Sequence, residues 1–256
     1  MTTGQPEHAA RFRLVYTGWR WPYVIATRSP AATPQPAGAG WASFTPAGSA
    51  NQQVQEIATR IGAEYRLSDG RQLVAVTPSF PPSYPVGSGS TLPITQYTVA
   101  YRTSASSAVN YTSVPSQASV MYQLCGLGPA CSIAVGQPSV ARFELLRRES
   151  LKHALCTFHH LGASTVVTFV PPAKGQKPRY AFLFSRAAFG AQLARPLTAT
   201  LGAGPTPQAS QLTLPEQAAV NRLTDPSLYG FSYTHGQDGG IWVVFAPPRS
   251  ATAGGG

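Results

Sequence analysis

Four side chains that can bind metals or transfer protons recur along one face of a predicted helix. They are spaced at i, i+4, i+7 and i+11, and they are Glu149, His153, Cys156 and His160. This spacing places them within about 60° of one another around the helix axis. Carboxylate, imidazole and thiolate groups are ligands that Zn²⁺ takes in proteins. A rise of about 1.5 Å per residue separates Glu149 from His160 by roughly 16 Å, so a single ion cannot bind all four.

The metal candidates are therefore His153, Cys156 and His160, taken in pairs. Each pair would need further ligands from elsewhere in the chain, and no other residue stands at a spacing typical of zinc sites. The alternative interpretation is a second, partly buried face on which these polar groups pack. We predict no bound metal and no cofactor.

A second group contains the residue types of a hydrolytic triad. Ser232, His235 and Asp238 follow one another at intervals of three within one predicted hairpin. A triad is recognised by its geometry, and the Gly-x-Ser-x-Gly elbow of α/β-hydrolases does not occur in the sequence. Residues 235–240 are better explained as a turn, because Gly and Asp adopt the backbone angles that tight turns need. We predict no catalytic residues, since the nine acidic residues are scattered singly and no glycine-rich phosphate loop occurs.

Positive charge is concentrated in one part of the chain. The 256 residues include 19 Lys and Arg against 9 Asp and Glu, which gives a net charge of +10. Residues 139–195 contain nine Lys and Arg against two Glu, so this segment alone carries +7. Such a field attracts anionic partners. The residues that we predict to bind an anionic or protein partner are Arg142, Arg148, Lys152, Lys174, Lys177 and Arg179. The alternative is a solvated face that keeps a protein with only 11% charged residues soluble.

Two of the three cysteines bracket a turn-rich loop. Cys125 and Cys131 enclose the sequence GLGPA, which could bring the two thiols within reach of a disulfide. A bridge would indicate an oxidising compartment, whereas ordinary loop thiols would suit the cytosol. We predict the disulfide, with the second alternative open. Cys156 on the predicted helix would have no partner in that pairing.

The elements that must position these side chains follow an α+β order rather than the strict alternation of a doubly wound sheet. A long central helix is predicted between Ser139, a natural N-cap, and Gly162, a natural residue to follow a helix. Shorter helices open at capping boxes that begin with Ser49 and Thr213. We expect a sheet of antiparallel hairpins packed by the long central helix and these shorter helices.

Runs of alternating or β-branched residues predict the strands. They lie at residues 71–77, 94–101, 108–114, 119–124, 165–170, 180–184, 229–233 and 241–245. Residues 78–91 contain four prolines and several serines and are predicted to form a loop. Residues 187–201 are helix-like but are interrupted by Pro196.

The composition divides the chain into four segments. Residues 1–29 form an aromatic and basic arm, 30–48 a linker rich in Pro, Ala and Gly, 49–248 a single α+β domain and 249–256 a flexible tail. In the arm, residues 12–26 are interrupted by arginines and a proline, which a transmembrane helix or a signal peptide would not contain. This stretch is either a strand that joins the core or a membrane contact.

Seven short segments carry a resemblance to a known group of proteins. They are CGLGPAC at 125–131, PS at 138–139, LLRRESLKHALCTF at 145–158, VPP at 170–172, RPLTATL at 195–201, LTDPSLY at 223–229 and QDG at 237–239. With these segments, residues 49–245 resemble uncharacterised bacterial envelope proteins. The resemblance implies an N-terminal membrane anchor, a flexible spacer and an extracytoplasmic α+β domain with no known activity. The sequence departs from the pattern at residues 12–26, where the anchor is expected.

These observations favour a non-catalytic, envelope-associated binding or structural module. Its basic face would contact an anionic surface, such as a membrane or a cell-wall polymer, or a protein partner. One alternative is a cytosolic nucleic-acid-binding protein, although the sequence contains no recognised nucleic-acid-binding motif. The other is a hydrolase whose site is not recognisable from the sequence.

Overall fold

The computed structural model describes residues 44–87, 90–102, 107–134, 138–177, 179–208 and 211–248. The predicted arm, most of the predicted linker and the predicted tail lie outside these ranges. The two alternatives for residues 12–26 lie outside them as well, so all of these stay predictions.

Five α-helices form in the described ranges. They are α1 (Ala50–Glu64), α2 (Val140–Leu161), α3 (Gly190–Leu193), α4 (Thr198–Leu201) and α5 (Leu214–Thr224). Ser49 and Thr213 form the expected capping boxes, which confirms the predicted starts of α1 and α5. At the start of α2, Ser139 accepts the Arg142 N–H at 3.2 Å. Gly162 follows the last turn of α2 with a φ of 68°, a value that favours glycine.

Nine strands form one mixed sheet. They are β1 (Ala75–Ser79), β2 (Ser83–Gly87), β3 (Ser90–Tyr101), β4 (Asn110–Pro115), β5 (Ser119–Cys125), β6 (Thr165–Phe169), β7 (Tyr180–Ser185), β8 (Leu228–His235) and β9 (Ile241–Ala246). Their order is β1-β5-β6-β7-β8-β9-β3-β2, and β4 pairs with β3. The α+β class is therefore shown in its coarse form, as helices together with a large mixed sheet.

The prediction of a simply antiparallel sheet is wrong at two places. β5 pairs with β6 in parallel, and so does β3 with β9. A parallel pair needs a long crossover connection, and α2 lies in the connection between β5 and β6. The predicted antiparallel hairpins β6–β7 and β8–β9 are confirmed.

Three local predictions also need correction. β1 begins at Ala75, four residues later than predicted. The expected loop at residues 78–91 contains β2, which is the last strand at one end of the sheet and tolerates Pro85 there. Residues 187–201 form short helical turns rather than one helix, with Pro196 between α3 and α4.

The middle strands are buried on both faces. On β6, Val166 belongs to the core beneath the helices, whereas Val167 and Phe169 belong to a second core on the other face. On β7, Phe182 faces the first core and Leu183 the second. Burial on both faces explains why these strands are continuous apolar runs rather than alternating ones.

The second core is closed by the curvature of the sheet itself. All of its fully buried members lie on strands, from β3 and β9 at one end of the sheet to β5 and β6 towards the other. The Ser119 hydroxyl of β5 donates to the Tyr97 hydroxyl of β3 at 3.3 Å, although these strands are not neighbours in the sheet. The sheet therefore curls until its two ends approach each other.

Helix α2 is buried on nearly every side. It contacts α1, α5 and β6, and sixteen of its residues are buried, including charged residues on the face that was predicted to be polar. In the described part of the chain, no helix combines the length and the apolar composition needed to cross a membrane.

Two neighbouring valines test whether the sheet is buried on both faces. Val166 and Val167 both have no exposed surface (0%) and belong to different cores. We expect an alanine at either position to lower the free energy of unfolding by about 2 kcal/mol, because each change removes packed methyl groups. Urea titration measures the loss. Thr77→Ala on the exposed side of β1 should change stability by less than about 0.5 kcal/mol, and a loss at Val166 alone would contradict the second core.

Candidate functional site

The predicted metal candidates lie mostly inside the protein, beside α1. His153 and Cys156 have no exposed surface (0%). The His153 ring packs against Tyr122 with centroids 4.7 Å apart, and its Nδ1 lies 3.0 Å from the Glu149 carbonyl oxygen. Burial lowers the pKa of His153 to about 3 and raises the pKa of the Cys156 thiol to about 12. Both side chains are therefore neutral at pH 7.

The other two groups of this face, Glu149 and His160, lie in different surroundings: Glu149 is buried and His160 is half-buried. Burial, and then the nearby Glu64 carboxylate, raise the pKa of Glu149 well above its usual range. His160 lies one turn beyond Cys156 and stacks on Phe44 with centroids 6.4 Å apart. A protonated thiol is neither a nucleophile nor a good zinc ligand. Within the described ranges, no three His, Cys, Asp or Glu side chains are grouped so that they could share an ion.

The three residues with the types of a hydrolytic triad are separated by strand geometry. Ser232 and His235 are three positions apart on β8, so their side chains leave opposite faces of the strand. The Asp238 carboxylate accepts the Gly240 N–H at 3.1 Å. Asp238 therefore serves the turn, as the sequence predicts, and these three side chains do not assemble into a triad.

Two of the six predicted partner-binding residues are enclosed by other helices. Arg148 is buried and donates to the Tyr65 hydroxyl at 2.9 Å and to the Leu201 carbonyl oxygen at 2.7 Å. Lys152 forms an ion pair with Glu64 of α1. The prediction that α2 presents these two charges to a partner is wrong, because α1 and the end of α4 cover that face of the helix.

Of the remaining four predicted residues, one lies in the first turn of α2 and three lie on the loop between β6 and β7. Arg142 is buried and donates to the Leu73 carbonyl oxygen at 3.3 Å, and burial lowers its pKa. Lys174, Lys177 and Arg179 are exposed on the loop between β6 and β7. In the part of the chain that the structure describes, neither Lys177 nor Arg179 forms an ion pair with a carboxylate.

Arg142, Lys177 and Arg179 come together at a cavity of about 590 Å³. The cavity lies between the first two turns of α2 and the β6–β7 loop. Its apolar lining residues are Ile133, Pro138, Val140, Phe143, Leu146, Val170, Pro171, Pro172, Ala173, Leu228 and Pro248. Ser139, Gln176 and Tyr180 add polar groups, and no Asp or Glu belongs to the lining among the described residues. The cavity is therefore apolar inside and positively charged.

Backbone hydrogen bonds fix the walls of this cavity. The Ile133 N–H donates to the Pro172 carbonyl oxygen at 2.9 Å, which joins two segments that are distant in sequence. The Val170 N–H donates to the Tyr180 carbonyl oxygen at 3.0 Å and closes the base of the β6–β7 loop. A ligand would therefore meet walls that are largely formed before it binds.

Sequence reasoning identified the charges of this site but not its walls. Arg142, Lys177 and Arg179 were among the predicted residues. Phe143 and Leu228 were not predicted to line the cavity, because no spacing in the sequence links residues of α2 to the start of β8. In the sequence, Pro171 and Pro172 indicate only the end of a strand. Their position in the lining of the cavity is visible only in the structure.

The two loop cysteines are free thiols in this structure. Burial, and then a hydrogen bond with the neighbouring Cys125, raise the pKa of Cys131 to about 11. The Gly126 N–H donates to the Cys131 carbonyl oxygen at 2.9 Å, so the loop folds back and brings the two cysteines towards each other, as the sequence leads us to expect. The disulfide between them stays a prediction.

Comparison with known proteins gives no relative from which a function could be transferred. No family model, no curated protein and no solved structure matches the chain. The candidate site is therefore defined by its own geometry.

The buried histidine predicts how stability depends on pH. Below its usual pKa of 6.5 the histidine of the unfolded chain binds a proton, whereas folded His153 does so only near pH 3. Its stabilising contribution is thus present above pH 6.5 and is lost as the pH falls. Relative to His153→Gln, we expect the wild-type free energy of unfolding to fall by about 2 kcal/mol between roughly pH 7 and pH 5.

Chemical denaturation of both proteins at the two pH values measures this difference. The control is Leu155→Ala, which empties a buried position two residues along α2 from the histidine without removing a titrating group. Its stability loss should be the same at both pH values. A wild-type protein that keeps its full advantage over His153→Gln at the lower pH would show that His153 is protonated in the folded state.

Proposed function

We propose that this protein is a non-catalytic binding module that holds the anionic group of a ligand at the cavity between α2 and the β6–β7 loop. The resemblance to bacterial envelope proteins leads us to include association with the cell envelope in this proposal. The observation that carries it is the presence of the exposed cations Lys177 and Arg179 at an apolar cavity whose described lining contains no carboxylate.

An anion at this opening would gain more from the cations than it would on a flat surface. The apolar walls exclude water, and a lower local dielectric constant strengthens attraction between opposite charges. The N-terminal end of α2 adds a partial positive charge, and its first turn contains no acidic residue that would oppose it. Ser139 and Val140 of that turn line the cavity.

The two alternative functions have less support in the geometry. A hydrolase would need a nucleophile and a base within hydrogen-bond reach, and Ser232 and His235 leave opposite faces of β8. A groove for single-stranded nucleic acid stacks successive bases on several aromatic side chains. Among the described residues that line this cavity, only Phe143 and the partly exposed Tyr180 are aromatic. Two rings are fewer than such a groove uses to stack successive bases.

A pair of dyes that differ in charge tests the proposal. Anilinonaphthalene sulfonate is anionic, and N-phenylnaphthylamine has nearly the same ring system without the sulfonate. We expect Lys177→Gln with Arg179→Gln to weaken binding of the anionic dye about tenfold, because about 1.4 kcal/mol of charge-assisted binding is lost. Binding of the neutral dye should be unchanged. Fluorescence titration of the full chain measures both affinities.

The matched control removes two exposed positive charges elsewhere. Arg195→Gln with Arg222→Gln gives the same net charge, and neither residue lines the cavity. This variant should bind the anionic dye like the wild type at moderate salt. An equal loss in both variants would mean that the dye responds to net charge, and the proposed site would be wrong.

A further inference from the structure

We propose that the ligand of this cavity is a monomeric, single-chain amphiphile with an anionic head group, of the fatty carboxylate type. The inference rests on the proposed function, in which Lys177 and Arg179 receive the anionic group. It adds the chemistry of the rest of the ligand, which is an unbranched apolar chain held against Phe143, Leu146 and Val170.

The size and lining of the cavity support a ligand with a substantial apolar part. A volume of about 590 Å³ lies within the range of roughly 300 to 1,000 Å³ that is typical of small-molecule sites. Eleven of the seventeen lining residues have fully apolar side chains, far more than an inorganic anion or a small polar metabolite would need. Most of the favourable contact area would therefore come from a chain of methylene groups.

The order of polarity along the cavity matches the order along an amphiphile. Leu146 and Val170 are only 2% and 6% exposed and form part of the buried lining. Lys177 and Arg179 are exposed and lie at the opening. Tyr180, which is 39% exposed, also lines the cavity. A chain can thus lie inside while its head group stays at the solvated rim.

The buried part of the lining does not provide a second head-group site. Arg142 is the one buried cation of the described lining, at 5% exposed, and its guanidinium donates to the Leu73 carbonyl oxygen. Its methylene stem is what an apolar chain would contact. The arrangement therefore suits a ligand with one charged end rather than a dicarboxylate.

The same features favour a dissolved monomer over a membrane surface. A flat bilayer could reach Lys174, Lys177 and Arg179, but it could not fill the space against Leu146 and Val170, which are buried. Recognition of an anionic lipid surface usually takes about four to eight clustered basic residues, more than this loop presents. A single chain that leaves solution can use both parts of the site.

Isothermal titration of the full chain with octanoate, decanoate and dodecanoate, each below its micelle concentration, tests the inference. We expect the affinity to rise about fourfold for each methylene added, because each one leaves water for the apolar lining. Decanol, which has the chain of decanoate without its charge, should bind about tenfold more weakly than decanoate.

Two phenylalanine variants locate the chain. Ala173 lines the cavity, whereas Ala203 is exposed in another loop and does not line it. Ala173→Phe should fill the cavity and weaken dodecanoate binding at least tenfold, while Ala203→Phe should bind dodecanoate like the wild type. Equal binding by both variants would overturn the assignment of the chain to this cavity.

The outcomes separate this inference from the proposed function. In one outcome, the anionic dye binds in a charge-dependent way while the affinities of the carboxylates do not change with chain length. That result would support the proposed function and overturn the inference. Loss of charge dependence for both dye and carboxylates would overturn both. Co-sedimentation with phosphatidylglycerol vesicles, without binding of any monomeric carboxylate, would assign the basic loop to a membrane surface and also overturn the inference.

Discussion

The burial of α2 is the constraint on which the rest of the structure depends. A charged side chain inside a protein costs several kcal/mol of stability unless it is paired and hydrogen-bonded. The buried charges of α2 therefore need partners on neighbouring elements. Arg148 is satisfied by Tyr65 and by the Leu201 carbonyl oxygen, and Lys152 by Glu64. Tyr65 and Glu64 lie at the end of α1, and Leu201 is the last residue of α4. The charges of α2 therefore fix where α1 and α4 must lie.

The apolar side of α2 fixes the helices on the sheet. Phe158 is fully buried in the core beneath the helices, and the Tyr122 and Thr157 hydroxyl groups form a buried hydrogen bond at 2.7 Å between β5 and α2. Because β5 and β6 are parallel, the chain must cross over between them, and α2 is the main element of that crossover. Helix α2 thus lies both in the layer above the sheet and in the connection between two of its middle strands.

This packing also explains where positive charge is left for a ligand. Along α2, other helices cover the charges from Arg147 onward, and Arg147 itself pairs with Asp225 beyond α5. The first turn is not covered in this way, since Val140 is 79% exposed. The β6–β7 loop approaches that turn and brings Lys177 and Arg179 to the same cavity. The sequence suggests one broad basic face. In the structure, some of these basic residues bind partners inside the protein and others lie at the rim of the cavity.

The sequence by itself determined the local structure. The capping box of Ser49 and Gln52, the αL residue Gly162 and the β8–β9 hairpin depend on residues within a few positions of one another, so a short pattern is enough to specify them. It also identified three of the charged residues of the site, because clustered basic residues are visible in composition alone. None of these inferences required knowledge of which distant segments meet.

Only the tertiary structure decided which faces are buried and where a ligand could enter. Arg148 reaches Tyr65 across 83 positions of the chain and the Leu201 carbonyl oxygen across 53, and no periodicity relates residues at such separations. Contacts between distant segments also produce the parallel pairing of β3 with β9. They place Leu228 and Pro248 in the wall of the cavity as well. Burial is set by the elements that cover a side chain, and these are chosen by the packing of the whole domain rather than by neighbouring residues.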